Sequence, residues 1–304
     1  MARVQNQVKI PRIKQVDAAL DKPLDVDSPP TIFQTTLTPE YATAALNLSV
    51  DFIKQRQSLA NKYLLLHPFV LSFITLIVLI IMIPRLVYPH GFLSVTQWLY
   101  HLFLLNKAHF FTMLISSTML ISLIFTLLSR LVETVYKAEV DKIVKSNGLP
   151  LFNVELNQLA QQKIPDETVL QNTNIIVYRN TPIALISVSE SHVLSSDTSI
   201  CVTISTLGCR KVYIKSGILG DLIDWAMIRT EKINNGKKSS CKLIIEVESI
   251  EHDLQKTLLS KGFKCFSRQR LRSNRILGGL FGIKKELWGV QFHIKSKQSQ
   301  NSKK

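Results

Sequence analysis

The first residues whose spacing could do chemistry are three hydroxyl side chains set in an apolar stretch. Thr118, Ser122 and Thr126 recur every fourth residue, so on a helix they share one face. Inside a bilayer such a face permits close helix approach and interhelical hydrogen bonds, which is the chemistry of binding. It can serve packing against a helix of the same chain or docking of another membrane protein, and the spacing leaves both open. Glu246 and Glu248 flank Val247 in a β-forming run. One of them could face a cleft as a general base, although hydrogen-bonded structural carboxylates are the plainer reading. Gly217 and Gly220 open a helix of the kind whose backbone N–H groups can meet a phosphate, but a glycine at a helix start is commonly ordinary structure. Cys201, Cys209, Cys241 and Cys265 are irregularly spaced, with no Cys-x-x-Cys or Cys/His ligand pattern. That predicts reduced, mostly buried thiols and no metal site. No catalytic set and no cofactor follow from these positions.

The hydroxyls sit in one of two long apolar stretches, Tyr63–Ile83 and Phe110–Leu128, neither containing an ionised side chain. Each is long enough to cross a bilayer core of roughly 30 Å. The connection between them is short, so the expected architecture is an α-helical transmembrane hairpin with both termini on one side. The first stretch starts too far into the chain to be a signal peptide. Charge sets the orientation. Of 37 Lys and Arg, 8 precede the hairpin, 2 lie in the connection Arg85–His109 and 27 follow. Lys54, Arg56, Lys62, Arg130 and Lys137 flank the outer ends, which predicts cytosolic termini and a lumenal or external connection. Trp98, Tyr100 and Tyr88 in that connection suit an interfacial belt. With no charge inside either stretch, an ion or substrate path of its own is not expected. The net charge of +15 suits an anionic lipid surface better than nucleic acid, for which no binding signature exists.

The remaining chain divides by pattern. Residues 1–37 are polar and read as a flexible N-terminal segment. Thr38-Pro39-Glu40 is a helix start, and Tyr41, Ala44, Ala45, Leu48 and Phe52 follow helical spacing, giving an amphipathic helix over 38–62. Its apolar face could lie on the membrane or on a cytosolic domain. The hairpin covers 63–130. Residues 131–295 begin with a charged helix, Val132–Lys145, stopped at Asn147-Gly148, and then alternate strands and helices, which predicts a cytosolic mixed α/β domain. The strands are Thr173–Asn180, Thr181–Ser189, Ile200–Leu207, Cys241–Val247, Phe263–Ser267 and Leu287–Ile294. The helices are Gly217–Glu231 and Glu251–Ser260. Residues 296–304 read as a disordered tail. His67, beside Pro68, reads as an interfacial anchor, and the basic run from Lys261 to Arg275 as a solvated or lipid-facing surface.

This order of elements, with the stretch Gly217–Ala226, resembles the GCN5-related N-acetyltransferase fold. In that family a turn of type Arg/Gln-x-x-Gly-x-Gly/Ala opens the central helix and binds the coenzyme A pyrophosphate. Gly217 and Leu222 fit the pattern, while Ile214 stands for Arg/Gln and Leu219 for the small residue, where its bulk would obstruct the close phosphate approach that glycine allows. A later family pattern falls on Glu251, Leu254, Leu258 and Gly262-Phe263, with Leu258 where a tyrosine commonly acts as general acid. The resemblance implies an acetyltransferase-like domain with a degenerate coenzyme A loop near Gly217 and Gly220, and a membrane-anchored N-acetyltransferase as the alternative activity. A second resemblance lies in Lys22-Pro23-Leu24-Asp25, Ser28-Pro29-Pro30, Gln34-Thr35-Thr36-Leu37, Tyr63 to Pro68 and Pro84-Arg85-Leu86-Val87-Tyr88-Pro89. These segments are similar to a fungal family of phosphate-regulon membrane proteins of the endoplasmic reticulum. That resemblance implies a non-enzymatic chaperone that helps a high-affinity phosphate transporter enter COPII vesicles. Its partners would be the transporter and possible coat components, and Thr118, Ser122 and Thr126 become the candidate client-docking face.

Overall fold

The computed structural model describes residues 32–91, 94–161, 167–236, 238–271 and 275–293. In chain order the helices are α1 (Ala42–Leu65), α2 (Pro68–Met82), α3 (Val95–Leu105), α4 (Lys107–Lys145), α5 (Leu149–Phe152), α6 (Leu156–Ala160), α7 (Glu167–Leu170), α8 (Ile218–Asn234) and α9 (His252–Ser260). The strands are β1 (Ile32–Thr36), β2 (Thr173–Tyr178), β3 (Thr181–Glu190), β4 (Ser199–Cys209), β5 (Ser240–Glu248), β6 (Lys264–Arg270) and β7 (Lys284–His293). The chain separates into two compact units, one of residues 1–55, 138–270 and 284–304, the other of 56–137 and 271–283.

The first unit is built on a seven-stranded sheet of order β1-β2-β3-β4-β5-β7-β6. Only β4 and β5 run parallel, because α8 carries the chain back between them; every other pair is antiparallel. Arg179 and Asn180 adopt φ of 47° and 57°, the left-handed pair of a two-residue hairpin turn, so β2 ends at Tyr178 and β3 starts at Thr181. Leu222, Ile223 and Ala226 of α8 and Leu258 of α9 are fully buried against Ile186, Val202, Leu243 and Val247 of the sheet. Ile175, Val177 and Leu185, alternating with that set, are equally buried on the opposite face.

One sequence expectation changes here and one open choice is decided. The segment 1–37 was expected to be flexible, yet Ile32–Thr36 pairs with β2 along the sheet edge, Ile32 opposite Tyr178 and Thr36 opposite Asn174. The partner lies some 140 positions away, as in the Asn174 Nδ2 to Gln34 Oε1 hydrogen bond of 3.3 Å. Local pattern cannot reveal such a pairing. The tail 296–304 and residues 1–31 lie outside the described residues. The amphipathic helix resolves the other way open to it. Phe52 of α1 packs on the sheet, where a Cβ at Gly208 of β4 would stand 2.5 Å from its ring.

The second unit holds the two apolar helices. Pro68–Arg85 and Lys107–Lys145 are each long and apolar enough to cross a membrane, with mean hydropathy of 2.3 and 2.1 over their best stretches. Only 11% and 6% of those stretches is buried by protein, unlike the core helix of a soluble domain. The first starts later than Tyr63. Tyr63 to Leu65 complete α1, the chain breaks at His67, and Pro68 takes the first position of α2. His67 Nδ1 caps that start by accepting the Phe69 N–H at 3.3 Å. At the far end Asn106, fully buried, accepts the Val87 N–H at 2.8 Å and donates to the carbonyls of Val87 and Leu102. That one side chain closes the connection between the helices.

Candidate functional site

Two places carry the sequence-level candidates. The first is the start of α8, at the carboxyl end of the parallel pair. β4 and β5 pair only from Ser199–Ile204 against Ser240–Ile245. Beyond this, β4 continues beside β3 to Cys209 and β5 beside β7 to Glu248, so the two strands part. Thr206 pairs with Ser187 and Ile204 with Val188, which leaves Ser205 as an extra residue bulging from β4 where they separate. In an open α/β arrangement such an opening is where ligands enter.

Here the chain's own α1 occupies the end of β4. Phe52 fills the space left by Gly208, and Gln55 Nε2 donates to the Cys209 carbonyl at 3.2 Å and to Asp51 Oδ2 at 2.8 Å. Burial lowers the pKa of the neighbouring Arg210 guanidinium, an effect that Asp51 opposes. Burial also pushes the Cys209 thiol up to about 11, and the Cys241 thiol likewise to about 11, so neither is a nucleophile near neutral pH. All four cysteines are free, three buried and Cys265 half-buried.

The glycine turn itself is open at Gly217 and covered at Gly220. Six residues, Lys211–Ser216, coil into a 3₁₀ segment ahead of it, and Gly217 takes φ +88° to reverse the chain into α8. A Cβ on Gly220 would meet the Lys261 chain at 3.3 Å, and Lys261 ends in an ion pair with Asp224. The amides of Gly220 and Asp221 already donate to the Gly217 carbonyl at 2.8 and 3.3 Å. Asp221 adds a negative charge to the first helical turn, where a phosphate would need none. Leu219 does not obstruct the turn as the sequence suggested, since its side chain points inward and is buried in the core. Leu258 is also fully buried and has no proton to give.

The two strand carboxylates differ in setting. Glu246 is exposed and pairs with Lys285 at 3.1 Å; Glu248 is buried, and its backbone N–H donates to Glu251 Oε2 at 2.9 Å. A buried acid held by three donors is one the sequence did not single out, Glu286 of β7. It is buried and accepts from Arg268 Nε at 3.0 Å, Trp288 Nε1 at 3.0 Å and Gln255 Nε2 at 3.3 Å. Nothing in local spacing marks it, because its partners come from β6, β7 and α9. Among the described residues no group of His, Cys, Asp and Glu could hold a metal ion.

The second place is the hydroxyl face of α4. In the seam between the apolar helices, Val78, Ile81 and Met82 of α2 face Met113, Ser116 and Ser117 of α4, and Met113 is buried. Thr118, Ser122 and Thr126 point elsewhere and are exposed. With Leu65, Ile121, Phe125 and Ser129 they line an open groove of about 730 Å³, ending at Arg130 and Glu133. Those two form an exposed ion pair at 3.2 Å, which contributes little stability. The Thr118 hydroxyl donates to the Leu114 carbonyl and the Thr126 hydroxyl to the Ser122 carbonyl, both at 2.8 Å. The face is therefore small, with two of its three donors satisfied within its own helix and oxygen lone pairs left to accept. That suits close approach of another helix more than a dense interhelical hydrogen-bond network.

Comparison with protein families gives a match to the inorganic phosphate transporter chaperone Pho86 over residues 14–292. Comparison with curated proteins gives no match. Among solved structures, Arabidopsis thaliana Naa50 in complex with a bisubstrate analogue is similar at a TM-score of 0.33 and 17% identity, over 45% of this chain and 93% of that one. Arabidopsis thaliana NAA60 in complex with acetyl-CoA gives 0.31 and 17%, over 46% and 92%. The NatC complex bound to Gag peptide and CoA gives 0.33 and 16%, over 41% and 74%. At these scores the likeness bears on neither cofactor nor reaction.

Proposed function

Since the chain belongs to the family of inorganic phosphate transporter chaperones, we propose that it is an endoplasmic-reticulum membrane protein that prepares a phosphate transporter for COPII packaging and is not an enzyme. In this reading the two apolar helices form a hairpin, and the groove along Thr118, Ser122 and Thr126 holds a helix of the client. One observation carries it: a face of small hydroxyl residues that the partner helix of the same chain leaves uncovered. Such a face shields the small or polar surface of an unassembled transporter helix until the helix finds its own neighbours. The sheet unit then serves as a cytosolic platform for transporter loops or coat components.

The alternative, a membrane-anchored acetyltransferase, makes an opposite prediction. Purified full-length protein in detergent should show no thermal shift with acetyl-CoA, because α1 occupies the end of β4 and Lys261 covers Gly220. A cofactor present at a hundredfold excess over its Kd would add about 2.7 kcal/mol. A clear shift accompanied by acetyl transfer to an amine would replace the chaperone reading with the enzymatic one.

Orientation follows from the Lys and Arg asymmetry. A glycosylation sequon inserted between Pro89 and Gln97 should be modified in cells, and one placed after Ser296 should stay unmodified. The reverse pattern would put the sheet unit in the lumen and remove every cytosolic role.

A further inference from the structure

The segment Leu271–Ile283, between β6 and β7, belongs to the compact unit that contains the two apolar helices. It is tied to the entrance of the first. Tyr63 Oη donates to the Phe281 carbonyl at 3.1 Å, and the His67 ring meets Phe281 edge-on at 5.4 Å and Tyr63 at 5.5 Å. A single π-helical turn, Ile276–Leu280, shapes the segment. Leu277, Phe281 and Ile283 turn inward and are buried, and Gly278 presses on the backbone of Leu271 so closely that a Cβ would lie 2.4 Å from its carbonyl oxygen. Ile276 and Leu280, one turn apart, remain 44% and 53% exposed. At the helix entrance Leu66 and Phe69 are 62% and 51% exposed. In sequence, Arg268, Arg270, Arg272 and Arg275 precede this apolar patch and Lys284 and Lys285 follow it, with no acid between Lys264 and Glu286.

We propose that Arg275–Ile283 is a third membrane contact, with Ile276 and Leu280 inserted into the cytosolic interface of the bilayer beside the first span and the Arg275 guanidinium on anionic headgroups. It rests on the hairpin reading of α2 and α4. Continuity selects the occupant: the segment is bonded to Tyr63 and His67, where the chain passes from a polar helix into the apolar one. An exposed apolar pair next to a cation is the pattern of an interfacial anchor, in which acyl burial and headgroup attraction act together. The contact would set the height of the first span's entrance by fixing His67, the residue that caps α2.

The test uses the full-length protein in vesicles of phosphatidylcholine and phosphatidylserine, carrying one environment-sensitive NBD label. The background is Cys265→Ser, since the other three thiols are buried. Labels at Ile276→Cys and Leu280→Cys should emit blue-shifted and lose most of their intensity to shallow doxyl lipids. A label at Val193→Cys, 94% exposed in the sheet unit, should remain water-like, and one at Leu123→Cys in α4 should be quenched. Water-like emission at 276 and 280 with quenching at 123 would overturn the third contact alone. A blue shift without lipid quenching would also overturn it, by showing a protein cover. Absence of quenching at 123 would remove the hairpin itself.

Discussion

Replacing Gly208 with valine should destabilise the sheet unit by about 2–3 kcal/mol, an overpacking penalty imposed by one neighbour. A Cβ at this position would stand 2.5–2.7 Å from three carbons of the Phe52 ring, inside van der Waals contact. The ring cannot step aside easily, since Phe52 is only 5% exposed. For a unit of this size the loss corresponds to a fall of about 5–10 °C in Tm. The emission of Trp225 and Trp288, both in this unit, would follow it. Phe52→Ala alone should cost about 3–5 kcal/mol through the cavity it leaves. The double variant should then melt well above the sum of the two losses, because each change relieves the other. Additive losses, or wild-type melting of Gly208→Val, would mean that α1 does not occupy the end of β4, and the coenzyme A question would reopen.

Much of the sheet unit could be read from the chain alone, because its signals are local. The β2–β3 turn, the start of α8 and the run of β5 each show in a handful of adjacent residues. What was hidden depends on contacts between distant segments. β1 becomes a strand only through its pairing with β2, and Gly208 matters only because Phe52 is above it. Leu219 looked like an obstruction because its spacing says nothing about which way the side chain turns. Nothing local marks Phe281 as a partner of Tyr63 and His67, since Tyr63 lies 218 positions away. The hydroxyl face was half legible. A repeat of four put Thr118, Ser122 and Thr126 on one side of a helix, but only the packing of Met113, Ser116 and Ser117 with Val78, Ile81 and Met82 shows which side the neighbour leaves open.

The second large effect concerns that open side. Changing Thr118, Ser122 and Thr126 together to leucine should nearly abolish export of the phosphate transporter while leaving the chaperone abundant. Three branched side chains would fill the groove and keep a client helix from approaching closely. Hydrogen bonds account for less, about 0.6 kcal/mol each in a bilayer, and two of the three hydroxyls already donate within their own helix. Single substitutions should therefore be nearly silent. Insertion should not suffer, because leucine is the more favourable residue in a bilayer. The hairpin seam runs through other residues, so the fold has no reason to respond.

The most direct measurement is the ratio of phosphate transporter at the cell surface to that held in the endoplasmic reticulum, compared between cells carrying the unaltered chain and the triple leucine variant, with an unrelated carrier as reference. The groove reading predicts a variant at normal level and location, a transporter retained in the endoplasmic reticulum, and an unrelated carrier that reaches the surface as before. Normal transporter export by a well-expressed triple variant would contradict it and move client recognition to the sheet unit or to the Lys22–Leu37 segment.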